Sequence, residues 1–236
     1  MKSLTRTALG AAIALSLSLP MAATPAAAQV AGIATANPTA VIVRSKARDA
    51  AYAQIEQTYA SNIASIRTLN QEIAGLEAQL DTNGDKQVSQ TEAQANPSVL
   101  TQIQQKEQQY EQLVQPMALA QYYVIEQLIG DYANARQQVV NDRKIQLLLD
   151  PSAVQWGPDS VDVTSNIVAA LDQRMPSVQA APPANWRPRQ ETVQTHQAVQ
   201  QVLVMSAQAA MLRQQQAQAQ GQAGASTPAQ PTTSGR

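Results

Sequence analysis

The residues of this 236-residue chain whose types and spacing best suit chemistry are Asp81, Asn83, Asp85, Gln87, Ser89 and Glu92. They fall at offsets 1, 3, 5, 7, 9 and 12 of an EF-hand loop, the pattern that surrounds a calcium ion with hard oxygen donors. Gln87 would offer its backbone carbonyl, and Glu92 would close the loop with both carboxylate oxygens. Position six, where the bend calls for glycine, is Lys86. A side chain held at positive φ costs on the order of 1 kcal/mol, and here it also brings a cation beside the ligands. No second loop of this kind is present to pair with it. The stretch from Asp81 to Pro97 also reads as a polar turn between helices, because Asn83-Gly84 and Asn96-Pro97 both break helical periodicity. Both readings stand at this point: calcium could bind, and no cofactor is required.

Other chemistries find less support. His196 is the only histidine and lies in a Gln-rich C-terminal segment, where a solvated helix face is expected rather than a general base. With no cysteine and one histidine, the usual zinc sites are excluded, as is a disulfide framework. The nine glycines are scattered and form no phosphate loop. Glu107 and Glu111 lie one helical turn apart, but a glycosidase also needs a concave, aromatic-lined site that this composition does not supply. The sequence therefore describes no enzyme.

The elements that would position the loop are long helices. Ile55, Tyr59, Asn62, Ile66, Leu69, Ile73, Leu76 and Leu80 alternate spacings of four and three, a heptad seam with one polar member. A helix from about residue 45 to 80 would run roughly 54 Å. After Pro97 the period resumes with Leu100, Ile103, Tyr110, Val114, Met117, Val124 and Leu128, interrupted by Glu107 and Gln121 and extended by Tyr132, Ala135 and Val139. This second helix would reach about 65 to 70 Å, with Pro116 predicting a kink or one lost hydrogen bond. Neither seam can stay exposed, so the simplest arrangement is an antiparallel coiled-coil hairpin over residues 45–144, its tip at 81–97. A continuous rod that dimerises is the alternative.

Short elements flank the hairpin. A strand is expected at about Ile33 to Ala36, ended by Pro38 or placed at an edge. Lys144 to Asp150 and Ala153 to Trp156 read as two strands joined by a tight turn, with Trp156 in the core of a small sheet. Asp162-Val-Thr164 suits the cap of a short amphipathic helix bearing Ile167, Val168 and Leu171. Ala180 to Ala184 is a linker, residues 189–218 a further helix, and the rest a Gln/Ala-rich tail without fixed structure.

Residues 1–28 have the layout of a cleaved export signal: Lys2 and Arg6, an apolar run from Ala8 to Leu19, then Ala26-Ala27-Ala28 before Gln29. Removing it leaves 14 basic against 17 acidic residues, a net charge of −3. That balance offers no footprint for nucleic acid. With no Phe, two Trp and six Tyr, and with charged residues at 14%, the composition suits helices with narrow seams better than a large globular core.

An export signal, a first strand, a heptad hairpin, short strands and a capped helix, in that order, resemble the Skp/OmpH family of periplasmic chaperones. Gly32-Ile-Ala-Thr-Ala-Asn37, Ser45-Lys46-Ala47, Ile145-Gln-Leu-Leu-Leu-Asp150 and Val161-Asp-Val-Thr164 with Val168 and Leu171 carry the resemblance. It extends from about Val30 to Met175. It implies a mainly α fold with a small β body, residues 29–44 and 145–175, completed by trimerisation, from which the hairpins project. It implies an ATP-independent holdase in the periplasm, a homotrimer that keeps unfolded outer-membrane proteins soluble. Three features depart from the pattern. The charge of −3 contrasts with the basic members, and leaves contact with anionic lipid or lipopolysaccharide without electrostatic support. The Asp81 loop is not required by the family, and residues 176–236 lie outside it. A calcium-binding coiled-coil protein of the cell envelope, structural or interacting, is the alternative from another class.

Overall fold

The computed structural model describes residues 32–225, with side chains through Gln218. The expected export signal and the last part of the tail lie outside the described residues.

The fold begins where backbone geometry demands glycine. Gly32 sits at φ +78°, and a Cβ there would fall 2.8 Å from Cγ of Gln146. Its carbonyl accepts from the backbone N–H groups of Gln146 (2.7 Å) and Leu147 (2.8 Å), which starts the pairing of β1 (Ile33–Thr35) with β2 (Leu147–Leu149). The two strands are parallel, with Ile33 opposite Leu147 and Thr35 opposite Leu149. Thr35 also bridges to Asp162 on its other side. Only Lys144 to Asp150 of the two expected adjacent strands yields one. Residues Pro151–Ala153 form a 3₁₀ turn capped by Asp150, and Trp156 is 85% exposed rather than in a sheet core. The reason is local: Asp150 accepts from Ser152 N–H at 2.9 Å, which turns the chain before a second strand can extend.

Pro38 ends β1 but also opens a helix that the sequence reading did not include. In α1 (Pro38–Arg44) the Asn37 side chain accepts from Ala40 N–H and Pro38 occupies the first turn, where its missing N–H costs nothing. Next come α2 (Lys46–Thr58) and α3 (Ala60–Leu80). They meet at Tyr59, where the hydrogen-bond ladder persists: Tyr59 N–H donates to Ile55 and Ile63 N–H to Tyr59. A short α4 (Gln90–Ala95) then leads into α5 (Pro97–Asp142), which runs unbroken through Pro116. Finally α6 (Thr164–Arg174) and α7 (Gln190–Ala225) complete the chain. Asp162 Oδ1 accepts from Thr164 N–H at 2.8 Å just ahead of α6, but the cap position is Val163, which makes no side-chain cap, so the Asp or Thr cap expected of this Asp-Val-Thr is not formed. α7 extends past Gln218, where a loose tail was expected.

The main core gathers Val41 and Ile42 of α1, Ile55 of α2, Val124, Ile125 and Leu128 of α5, Ile167 and Leu171 of α6, and Val199 of α7. Ala120 and Ala135, fully buried, let α5 approach its neighbours closely. A bidentate pair between Arg174 and Asp131, at 2.6 and 2.8 Å, joins α6 to α5 at the surface. We call this region the root and the remainder of α3 and α5, with the loop between them, the arm. Among the described residues no helix is long and apolar enough to cross a membrane.

Candidate functional site: the arm and its tip

The arm is built from the heptad positions. Leu69, Leu76 and Leu80 of α3 and Ile103 of α5 are its buried members, with Ile73 and Val99 packed against the cluster of Leu76, Leu80 and Ile103. Three side-chain links give the register between the helices. Asn62 Nδ2 donates to the carbonyl of Leu113 at 3.2 Å, Lys106 Nζ meets Glu72 at 2.6 Å, and Leu80 packs with Ile103. Partner numbers fall along α5 as they rise along α3. The single polar member of the first seam thus makes a link across the arm, donating to the carbonyl of Leu113 one turn before Pro116.

Between these contacts the seam opens. A groove of about 460 Å³ lies between α3 and α5, lined by Ser65, Thr68, Leu69, Glu72, Gln109, Gln112 and Leu113. Its walls are small hydroxyl side chains and amides around two leucines, so it presents apolar surface and adaptable hydrogen-bonding groups together. Of these residues the sequence singles out only Leu69, as a seam position. The available signal was the weakness of the second seam between Ile103 and Val114, where Glu107 interrupts it.

At the tip, the six residues spaced for calcium lie in one loop, but their oxygens serve the loop itself. Glu92 is 7% exposed. Its Oε1 accepts from Thr82 N–H and Oγ (both 2.8 Å) and Asn83 N–H (3.2 Å), and its Oε2 from Ser89 Oγ (2.7 Å) and N–H (3.0 Å). Ser89 Oγ in turn accepts from Glu92 N–H, so Ser89 and Glu92 form a capping box at the start of α4. These donors, Ser89 foremost, pull the Glu92 carboxyl down to about 2. Asp81 accepts from the N–H groups of Gly84 and Lys86, both at 2.8 Å, while Asp85 accepts from Gln87 N–H and Asn83 Nδ2. Lys86 adopts the left-handed conformation expected of position six, at φ +63°. Among the described residues no three His, Cys, Asp or Glu side chains converge in a way that could hold a metal ion. As placed, both Glu92 oxygens are occupied by Thr82, Asn83 and Ser89, which an ion held by Glu92 would have to share or displace.

His196 departs from expectation. It is 8% exposed, not solvated, and its Nε2 lies 3.0 Å from Oε1 of Gln121 on α5. Gln121, one of the two polar interruptions in the second seam, is therefore the place where α7 docks. One turn away Glu126 accepts from Thr192 Oγ (2.6 Å) and Arg189 N–H (3.2 Å).

A small mixed root carrying a long helical arm is the class of architecture these elements define. The model of the family described as Outer membrane protein (OmpH-like) matches residues 32–171, more than half the chain, and this chain belongs to that family. Among solved structures it is similar to an OmpH-like protein of Caulobacter crescentus CB15, a candidate outer membrane chaperone, at 22% identity and a TM-score of 0.41. That similarity covers 67% of this chain and 95% of the other. No curated protein matches the chain. The family match ends inside α6, so α7 lies beyond it.

Proposed function

We propose that this protein is an ATP-independent holdase chaperone of the periplasm, a homotrimer that binds unfolded outer-membrane proteins and keeps them soluble for assembly. The observation that carries this reading is the pairing of a well-packed root with an arm whose seam is thin and opens into a groove of about 460 Å³. Such an arm can change shape at little cost, and its mixed apolar and amide lining suits a client without a fixed fold. Weak contacts from several arms on one body hold a chain by multivalency. Membership in the OmpH-like family supports the reading. A two-stranded sheet with Ile33 and Leu147 exposed, at 41% and 48%, is too small to stand alone, and strands from other subunits would complete it. In this scheme residues 45–144 are the hairpin arm, and residues 29–44 and 145–175 form the oligomeric body.

The test combines light scattering of the exported chain with aggregation of an unfolded β-barrel protein in the absence of nucleotide. A trimer mass and suppressed aggregation are expected; a monomer that leaves aggregation unchanged overturns the proposal.

A further inference from the structure

A second helix leaves the root in the direction the arm takes. As α7 runs from Thr192 to His196 and Gln200, its partners on α5 go back from Glu126 to Gln121, so α7 is antiparallel to α5. Val199 is fully buried and Leu203 packs on the root core. Beyond Leu203 the cover stops, and every side chain from Val204 to Gln218 is exposed. The helix nevertheless continues to Ala225, about 33 Å past Leu203 at 1.5 Å per residue.

That stretch concentrates the apolar surface of the molecule. Of the nine exposed large hydrophobic side chains among the described residues, five are Val202, Val204, Met205, Met211 and Leu212, at 39–64% exposure. Single exposed hydrophobics are ordinary, but five within eleven residues of one helix mark a binding surface. At 3.6 residues per turn, Val202, Met205 and Leu212 fall on one side of the helix and Val204 and Met211 on the opposite side. The docked face of Thr192, His196, Val199 and Leu203 lies between the two stripes.

This layout selects the partner. The root takes the face between the stripes and covers neither of them. A second copy of α7 would need one continuous seam, whereas the five side chains are split between two sides and offer a few hundred Å² in all, short of the ~800 Å² per partner of a stable interface. A lipid surface would need cations beside the apolar residues, and Arg213 is the only Lys or Arg from Thr192 to Ala225. An unfolded polypeptide has no fixed surface to match and can bend around a helix to reach both sides. The unbranched Met205 and Met211 adapt to whatever apolar side chain it presents. We propose that residues 202–218 of α7 form a second client-binding arm, which takes apolar stretches of an unfolded polypeptide. This rests on the holdase reading above and adds to it a contact surface outside the family match, which ends at residue 171.

The test compares the full exported chain with a variant carrying Val204→Gln, Met205→Gln, Met211→Gln and Leu212→Gln together, all at exposed positions and all to a good helix former. Binding of a urea-unfolded β-barrel protein is read by fluorescence anisotropy, with mass from light scattering and helix content from circular dichroism. Client binding about tenfold weaker, through faster release, is expected at unchanged mass and helix content. Equal affinity of the two chains overturns the proposal and leaves the holdase reading standing, whereas a native chain that binds no client overturns both. A lower mass in the variant, showing contact between copies, also overturns it. So does binding of the native chain, but not of the variant, to vesicles of phosphatidylethanolamine and phosphatidylglycerol. Should the variant lose helix content, a chain ended after Leu203, which keeps the docked turns of α7, decides in its place.

Discussion

The root and the arm use the same α5 helix in opposite ways. In the root, Val124, Ile125, Leu128 and Ala135 are sealed on several sides by α2 and α6, and all four are fully buried. In the arm, α5 has one partner, a single buried residue at Ile103, and half-exposed seam positions at Leu100, Tyr110 and Val114. A core residue loses contacts in every direction when it is truncated, because packed interiors relax only in part. A two-helix seam can close over the gap. One helix thus serves as a rigid strut at one end and a pliant finger at the other, and the difference comes from the number of layers around it together with the Gln-rich, thinner seam of its arm half.

The largest effect that would sharpen this contrast is Leu128→Ala. A loss of about 2–5 kcal/mol in global stability is expected by urea unfolding, and a loss under about 1 kcal/mol would mean that the root is as compliant as the arm. Ile103→Ala should cost less, about 1–2 kcal/mol, close to the transfer of the side chain alone. Its signature is local: exchange protection falls at residues 76–80 and 99–106 and holds at 125–135. Equal loss in both regions would show that arm and root unfold as one unit.

At the tip, smaller changes are expected from acid. The Glu92 carboxyl is depressed from 4.5 to about 2, so its contribution is complete above about pH 4.5 and disappears as the pH falls toward 2. Proteolysis within residues 81–95 should accelerate across that interval in the native chain. In Glu92→Gln, cleavage is faster at neutral pH and no longer acid-dependent there. The smallest expected effect is that of calcium. An ion at one hundred times its Kd would add about 2.7 kcal/mol, whereas the self-satisfied loop predicts no change in thermal midpoint with calcium or a chelator. A rise abolished by Asp81→Ala would show that the loop rearranges around the ion.

Much of this was legible from spacing. The heptad positions Ile55, Leu69, Leu76, Leu80, Ile103, Val124 and Leu128 are buried, and the breaks at Asn83-Gly84 and Asn96-Pro97 fall between helices. The Asp162-Val-Thr164 stretch does mark the start of α6, although Val163 rather than Asp or Thr takes the cap position. The failures occurred where a residue type has two uses. Pro38 ends a strand and opens a helix equally well, and the choice falls to the Asn37 side chain. Trp156 is apolar, but the 3₁₀ turn begun by Asp150 and Pro151 carries it into solvent. His196 in a Gln-rich segment gave no sign of burial, because its partner Gln121 lies on another helix. The groove was similarly hidden, since apart from Leu69 its lining comes from non-seam positions of two helices brought together only by their register.

The parallel pairing of β1 with β2 makes the whole arm an excursion between two strands that lie side by side, with Gly32 bonded to Gln146 and Leu147 at the point of closure. The entropy of closing such an excursion grows only with the logarithm of its length, so doubling it costs about 0.6 kcal/mol. Arm length is therefore nearly decoupled from the stability of the root. Whole heptads could be added to or removed from both helices together, and reach adjusted over evolution or by design, while the strands that close the loop keep their register.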